Sequence, residues 1–312
     1  MAQALKKQDP DGVVAEKHGL RKKLHAWWHG YELAPVIDFD AETGVRSRDQ
    51  KSKAAEADGS WTPARLMLAQ QVWGNGALNP LDEDYLYTMI DDWPLTASDR
   101  VLEIADSLGA GGRIINGRFG VEVDLCLSGP ELAEIASGQF GEEGASGKID
   151  VCDGVLGVFC PEPESYNAVL IRDSLFRLEN VDDFLEPVVQ ALPASGGTMA
   201  LSDFFAGENA GTQEFARWME LENVPGDPVS EDDVSTLLQA NGLTLKTVED
   251  DSALYRSMIR NGWAAYLAGL DAAALSQMQR AVLEREAELW TCCEKALETG
   301  AIRHLRIAAS AG

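Results

Sequence analysis

From residue 100 onward, short apolar runs alternate with stretches of helical spacing. The runs are "RVLEIA", "GVEVDLCL", "KIDVCD", "NAVLIR", "GTMALSDFF" and "GLTLKTVE", and among them lie "GPELAEIAS", "VDDFLEPVVQAL" and "TQEFARWMELE". A strand covered on both faces reads as a continuous apolar run, and helices between such strands are the crossovers a parallel sheet needs. The pattern therefore predicts an α/β fold. Farther on, "SALYRSMIRNGWAAYLAGL" and "DAAALSQMQRAVLEREAELWTCCEKAL" read as one or two long helices, and "AIRHLRIAAS" as a final strand.

The pattern before residue 100 is different. Residues 12 to 33 set Leu20, Leu24, Trp27, Trp28 and Tyr31 at helical spacing opposite a basic face, which predicts an amphipathic helix. The stretch "DAETGVRSRDQKSKAAEADGS" has no periodicity and reads as a mobile linker. Residues 1–60 thus form one unit, and 61–312 the α/β body. In "WTPARLMLAQQVWG", Thr62 suits an N-cap, Pro63 the first helical position and Gly74 a left-handed closure; a short helix follows at about 82 to 91. Helical cap elements are expected at 61–95 and 251–298. Tyr255, Trp263 and Tyr266 form a stripe suited to core or to an oligomer contact, and a homodimer through the C-terminal helices is one arrangement this allows. "SEDD" at 230 to 233 fits an N-cap followed by first-turn acids.

Composition narrows the function classes. No apolar run approaches the eighteen or so residues of a membrane helix, and "MAQALKKQDPDGVV" lacks the apolar centre of a signal peptide, so no integral membrane segment and a cytoplasmic location are expected. Five cysteines without C-x-x-C spacing encode neither a disulfide framework nor a metal site. The net charge is −25, with 26 Lys/Arg against 51 Asp/Glu, and the excess of acid lies wholly beyond residue 53, the first 53 residues being slightly basic. An acidic body of this kind repels polyphosphates, which argues against nucleic acid and for a small-molecule or protein partner.

The stretch "VLEIADSLGAGGRIIN" (101–116) runs from a buried strand into a glycine-dense turn. Together with "SYNAVLIRDSLFRLENVDDFLEPVVQALPASGGTMALSDFF", it resembles the class I S-adenosylmethionine-dependent methyltransferases: a fourth strand, a helix before an "L-x-P-G-G"-like turn, and a fifth strand ending in an acid and aromatics. "WTPARLMLAQQVWGNGALNP" and "RHLRIAA" are similar to a branch of that family with an added N-terminal helical layer. The resemblance spans roughly residues 60 to 309. It implies a doubly wound Rossmann-like sheet, mostly parallel with an antiparallel last strand. It also implies S-adenosylmethionine as cofactor, held at the carboxyl ends of the strands.

Carried over residue by residue, the resemblance makes Glu103, Ala105, Ser107, Gly109, Asp153 and Arg172 the cofactor-binding positions. Two departures stand out. Ala105 and Ser107 replace glycines of the first-strand loop, which would strain the turn if φ were positive there. Leu127 falls where an acid should accept the ribose hydroxyls. The segment "GRIINGRFG" is also a poor helix, with Asn116 and Gly117 inside it. The expected function is therefore methyltransferase-like with a degenerate cofactor site and a binding or regulatory role; the alternative is an active methyltransferase acting on a small molecule or lipid headgroup.

Substrate-lining candidates are Trp28 and Tyr31, as an aromatic lid or simply as packing, with Asp173 and Phe204 at strand ends. His18, His25 and His29 offer groups that titrate near neutrality, although surface histidines would look the same. No metal site and no catalytic residue is assigned.

Overall fold

The computed structural model describes residues 61–142, 149–209 and 211–312. Seven strands form one sheet: β1 (Arg100–Ala105), β2 (Glu122–Leu127), β3 (Ile149–Val155), β4 (Ala168–Arg172), β5 (Thr198–Ala206), β6 (Leu243–Asp250) and β7 (Ile302–Ala311). Their order is β3-β2-β1-β4-β5-β7-β6. Strands β1 to β5 pair in parallel, and β7 runs antiparallel between β5 and β6. This is the doubly wound sheet with an antiparallel last strand expected above. The order reverses between β1 and β4, where open α/β sheets hold ligands beyond the strand ends.

Nine helices are described: α1 (Pro63–Trp73), α2 (Glu83–Ile90), α3 (Ala110–Phe119), α4 (Pro130–Glu142), α5 (Val181–Gln190), α6 (Gln213–Glu222), α7 (Glu231–Ala240), α8 (Ser252–Gly269) and α9 (Gln277–Thr299). Strand β4 is buried along its whole length because helices cover both faces. On one face Leu102, Ile104, Val169 and Ile171 pack against Leu185, Val188, Val234 and Leu238 of α5 and α7. On the other, Val101, Leu125 and Leu170 meet Leu66, Leu86, Ile90 and Ile115 of α1, α2 and α3. A third cluster joins α1, α6, α8 and α9 through large aromatics, with the Trp73 ring 4.8 Å from that of Trp290 and 6.4 Å from that of Trp263. Each such side chain, fully buried, contributes about 2–3 kcal/mol, so these four helices hold one another. Trp263 and Tyr255 belong to this core.

Local signals explain most boundaries. The Thr62 hydroxyl accepts the Arg65 N–H and Pro63 opens α1, as the sequence predicts, but Gly74 ends it at φ +104° and ψ 169°, outside the left-handed helical region. Ser230 caps α7 before three acids, and α9 opens with a reciprocal Ser276–Gln279 capping box. The segment read as a poor helix is nevertheless a full ten-residue one, α3. Its propensity is outweighed by the burial of Ile115 and by glycines at both ends, Gly109 at φ +82° and Gly120 at φ +69°. Among the described residues no helix is long and apolar enough to cross a membrane. The amphipathic helix and linker predicted for residues 1–60 lie outside the described residues.

Candidate functional site at the carboxyl ends of the strands

Glu103, on β1, faces α3 and is 1 % exposed. A methyl group at Gly111 would lie 1.9 Å from its Oε1, so only glycine lets the first turn of α3 descend onto this carboxylate. The Arg172 Nη2–H donates to Glu103 Oε1 at 3.3 Å across the switch point. Glu103 Oε2 and Arg172 Nε are buried with no hydrogen-bond partner among the described residues. A buried ion pair repays its desolvation only when its remaining lone pairs and protons are satisfied, so this pair is a costly one.

Ala105 ends β1, and neither it nor Ser107 has a positive φ. The strain expected from replacing the loop glycines is therefore absent. Instead, the Ser107 hydroxyl accepts the N–H groups of Gly109 (2.8 Å) and Ala110 (3.1 Å) and donates to the Gly76 carbonyl (3.2 Å). The first amides of a helix are the usual anchor for an anionic ligand group; here a side chain of the loop already takes them.

Asp106 crosses toward β2. Its Oδ1 accepts the Ser128 N–H at 3.3 Å, its Oδ2 accepts Trp61 Nε1–H at 3.1 Å, and Arg177 Nη1 stands 3.8 Å away. Leu127 ends β2 inside the apolar cluster with Leu125, Leu132 and Ala136. Asp153 lies within β3, exposed, rather than beyond its end, because the strand continues to Val155.

Asp173, just past β4, is one of three described non-glycine residues with positive φ, at +48°. It accepts the Tyr255 hydroxyl at 3.0 Å and pairs with His304 Nε2 at 2.9 Å. Tyr255 and His304 stack with ring centroids 3.8 Å apart, and the Phe204 ring meets both edge-on. Burial, reinforced by the Asp173 charge, pushes the Tyr255 hydroxyl well above its ordinary pKa. His304 Nδ1 is buried with no hydrogen-bond partner among the described residues. Asp203 accepts the N–H groups of Ser174, Leu175, Phe176 and Phe204. Burial, with Asp173 nearby, nonetheless pushes it up to about 6.

The structure thus brings Glu103, Ala105, Ser107, Gly109, Arg172, Asp173 and Phe204 to one end of the sheet and leaves Asp153 aside. Trp28, Tyr31 and the three N-terminal histidines lie outside the described residues. Sequence reading missed His304, Tyr255 as a polar group, Arg177 and Trp61. The one available signal was a histidine inside the apolar, strand-like stretch "IRHLRIA". A groove of about 490 Å³ between α1, α2 and α3, lined by Trp73, Tyr87, Arg113 and Ile114, shares none of the polar residues described above.

No protein-family model matches the sequence, and no curated protein matches it. Solved structures do. Phosphoethanolamine N-methyltransferase 2 of Haemonchus contortus, in complex with S-adenosyl-L-methionine, superposes with a TM-score of 0.70 at 17% identity, over 85% of this chain and 60% of the other. The chain spans about three fifths of that enzyme's length. A putative sarcosine dimethylglycine methyltransferase from Galdieria sulphuraria gives 0.67 at 14% identity, over 80% and 99%. A cyclopropane synthase from Mycobacterium tuberculosis gives 0.65 at 17%, over 82% and 97%.

Proposed function

Because the chain has the fold of the class I S-adenosylmethionine-dependent methyltransferases, we propose that it is a methyltransferase-like binding or regulatory protein. Its cofactor corner is filled from within. The observation that carries this reading is the Ser107 hydroxyl on the Gly109 and Ala110 amides. Those N–H groups would otherwise meet the methionine carboxylate of the cofactor. Asp106 adds a second obstacle, since its carboxylate occupies the β1–β2 corner and accepts the Ser128 N–H there. Leu127 supplies no acceptor for ribose hydroxyls, and a lost charge-assisted hydrogen bond costs about 1.5–3 kcal/mol. Together these features weaken affinity by roughly two to four powers of ten. The residues present do not fit S-adenosylmethionine well.

A second reading, an active methyltransferase for a small molecule or lipid headgroup, draws support from Arg172 Nε and His304 Nδ1. Among the described residues neither atom has a partner, which leaves hydrogen-bonding capacity at the strand ends. The two readings separate by titration with S-adenosylhomocysteine: dissociation constants weaker than about 100 μM fit the first, low-micromolar values the second.

A further inference from the structure

Arg177 belongs to the turn after β4, and its surroundings suit a positive group of another shape. The turn is held by Asp203, which accepts the N–H groups of Ser174, Leu175 and Phe176. From it the Arg177 guanidinium reaches Glu222 at the end of α6 (Nη1–Oε2 2.9 Å) and approaches Asp106 of the β1 loop (3.8 Å). Its Cζ lies 4.5 Å from the centre of the Phe176 ring, which is itself stacked on Trp218 at 5.5 Å and 25°. Burial opposes the charge, yet Glu222, Asp106, Asp173 and Asp203 outweigh it and raise the Arg177 pKa. Carboxylates beside an aromatic face are the chemistry that recognises cations.

The guanidinium uses this nest poorly. Both carboxylate contacts run through Nη1, and among the described residues neither Nε nor Glu222 Oε2 makes a hydrogen bond of good geometry. Arginine normally earns its place through two-pronged bonding, which is missing here. Arg177 is also the group nearest solvent: its side chain is 16% exposed, against 2% for Asp106 and 5% for Glu222.

We propose that this nest is a binding site for a small organic cation, an alkylammonium or guanidinium group, and that Arg177 occupies it as an internal stand-in which the ligand displaces. The proposal rests on the preceding reading only in taking this end of the sheet as a ligand-binding site.

The test uses the full chain and methylguanidinium as probe. Arg177→Ala should melt several degrees below the parent protein, and about 5 mM methylguanidinium should restore more than half of that loss; it should also raise the parent's own midpoint, by less, because there it must first displace Arg177. Sodium chloride at equal ionic strength should restore nothing. Adding Asp106→Asn should cut the rescue at least about threefold, as loss of a desolvated charge partner requires. If Arg177→Ala does not fold, Arg177→Met, which keeps the apolar stem, carries the same measurement, and the refolding yield of Arg177→Ala with and without the probe replaces its melting temperature. Absence of rescue beyond the salt control in these variants, a parent midpoint that the probe does not move, or rescue indifferent to Asp106→Asn would overturn the proposal. Tight binding of S-adenosylhomocysteine to the parent would instead overturn the preceding reading and leave this one standing.

Discussion

The Ser107 hydroxyl joins the loop after β1 to the first amides of α3 and, through the Gly76 carbonyl, to the segment after α1. Removing it in Ser107→Ala leaves two buried N–H groups unpaired, so stability should fall by about 1–2 kcal/mol in urea unfolding. An unchanged midpoint would mean that the amides find other partners. Gly111 is constrained differently, by the Glu103 carboxylate pressed against it. Gly111→Ala forces strand and helix apart and should cost roughly 2–3 kcal/mol in the same assay.

Asp203 supplies a pH signature. Its pKa in the fold, about 6, is raised above the ordinary 3.8, chiefly by burial. A raised carboxyl contributes stability in full below its unfolded value and loses that contribution as pH climbs through the folded one. The thermal midpoint of the parent should therefore lose ground to that of Asp203→Asn between about pH 4 and pH 6, since asparagine stays neutral throughout. Parallel pH profiles for the two proteins would show that the four backbone N–H groups keep Asp203 ionised.

At the scale of elements, apolar runs and caps made most of the fold legible. Strands such as "NAVLIR" and helix starts such as "SEDD" carry their own signals, and the structure places them as read. Helix α3 was not legible in this way: Asn116 and Gly117 read as helix breakers, and the Glu103 carboxylate that Gly111 and Gly112 let approach comes from a strand outside the helix. The site was only half legible for a related reason. Glu103 and Arg172 are 69 residues apart, and Asp173 and His304 are 131 apart. Strand order, not local spacing, makes those pairs. The link between β4, α8 and β7 that Asp173 provides is testable: Tyr255→Phe removes a hydroxyl donated to a buried carboxylate and should cost about 1–2 kcal/mol in urea unfolding, with no loss expected if the hydroxyl were merely packed.

At the scale of the whole molecule, the net charge of −25 acts against compactness. Salt screens that self-repulsion more than it weakens exposed ion pairs such as Arg256–Glu298 and Lys295–Glu298. The thermal midpoint should accordingly rise by several degrees between about 20 and 300 mM sodium chloride, and a fall would mean that the ion pairs dominate.

The central claim is that the cofactor corner is closed by the protein's own groups, and calorimetric titration of the full chain with S-adenosylhomocysteine tests it most directly. Dissociation constants weaker than about 100 μM, strengthened at least tenfold by combining Ser107→Gly with Leu127→Glu, are the predicted result. Low-micromolar binding by the parent protein would contradict it.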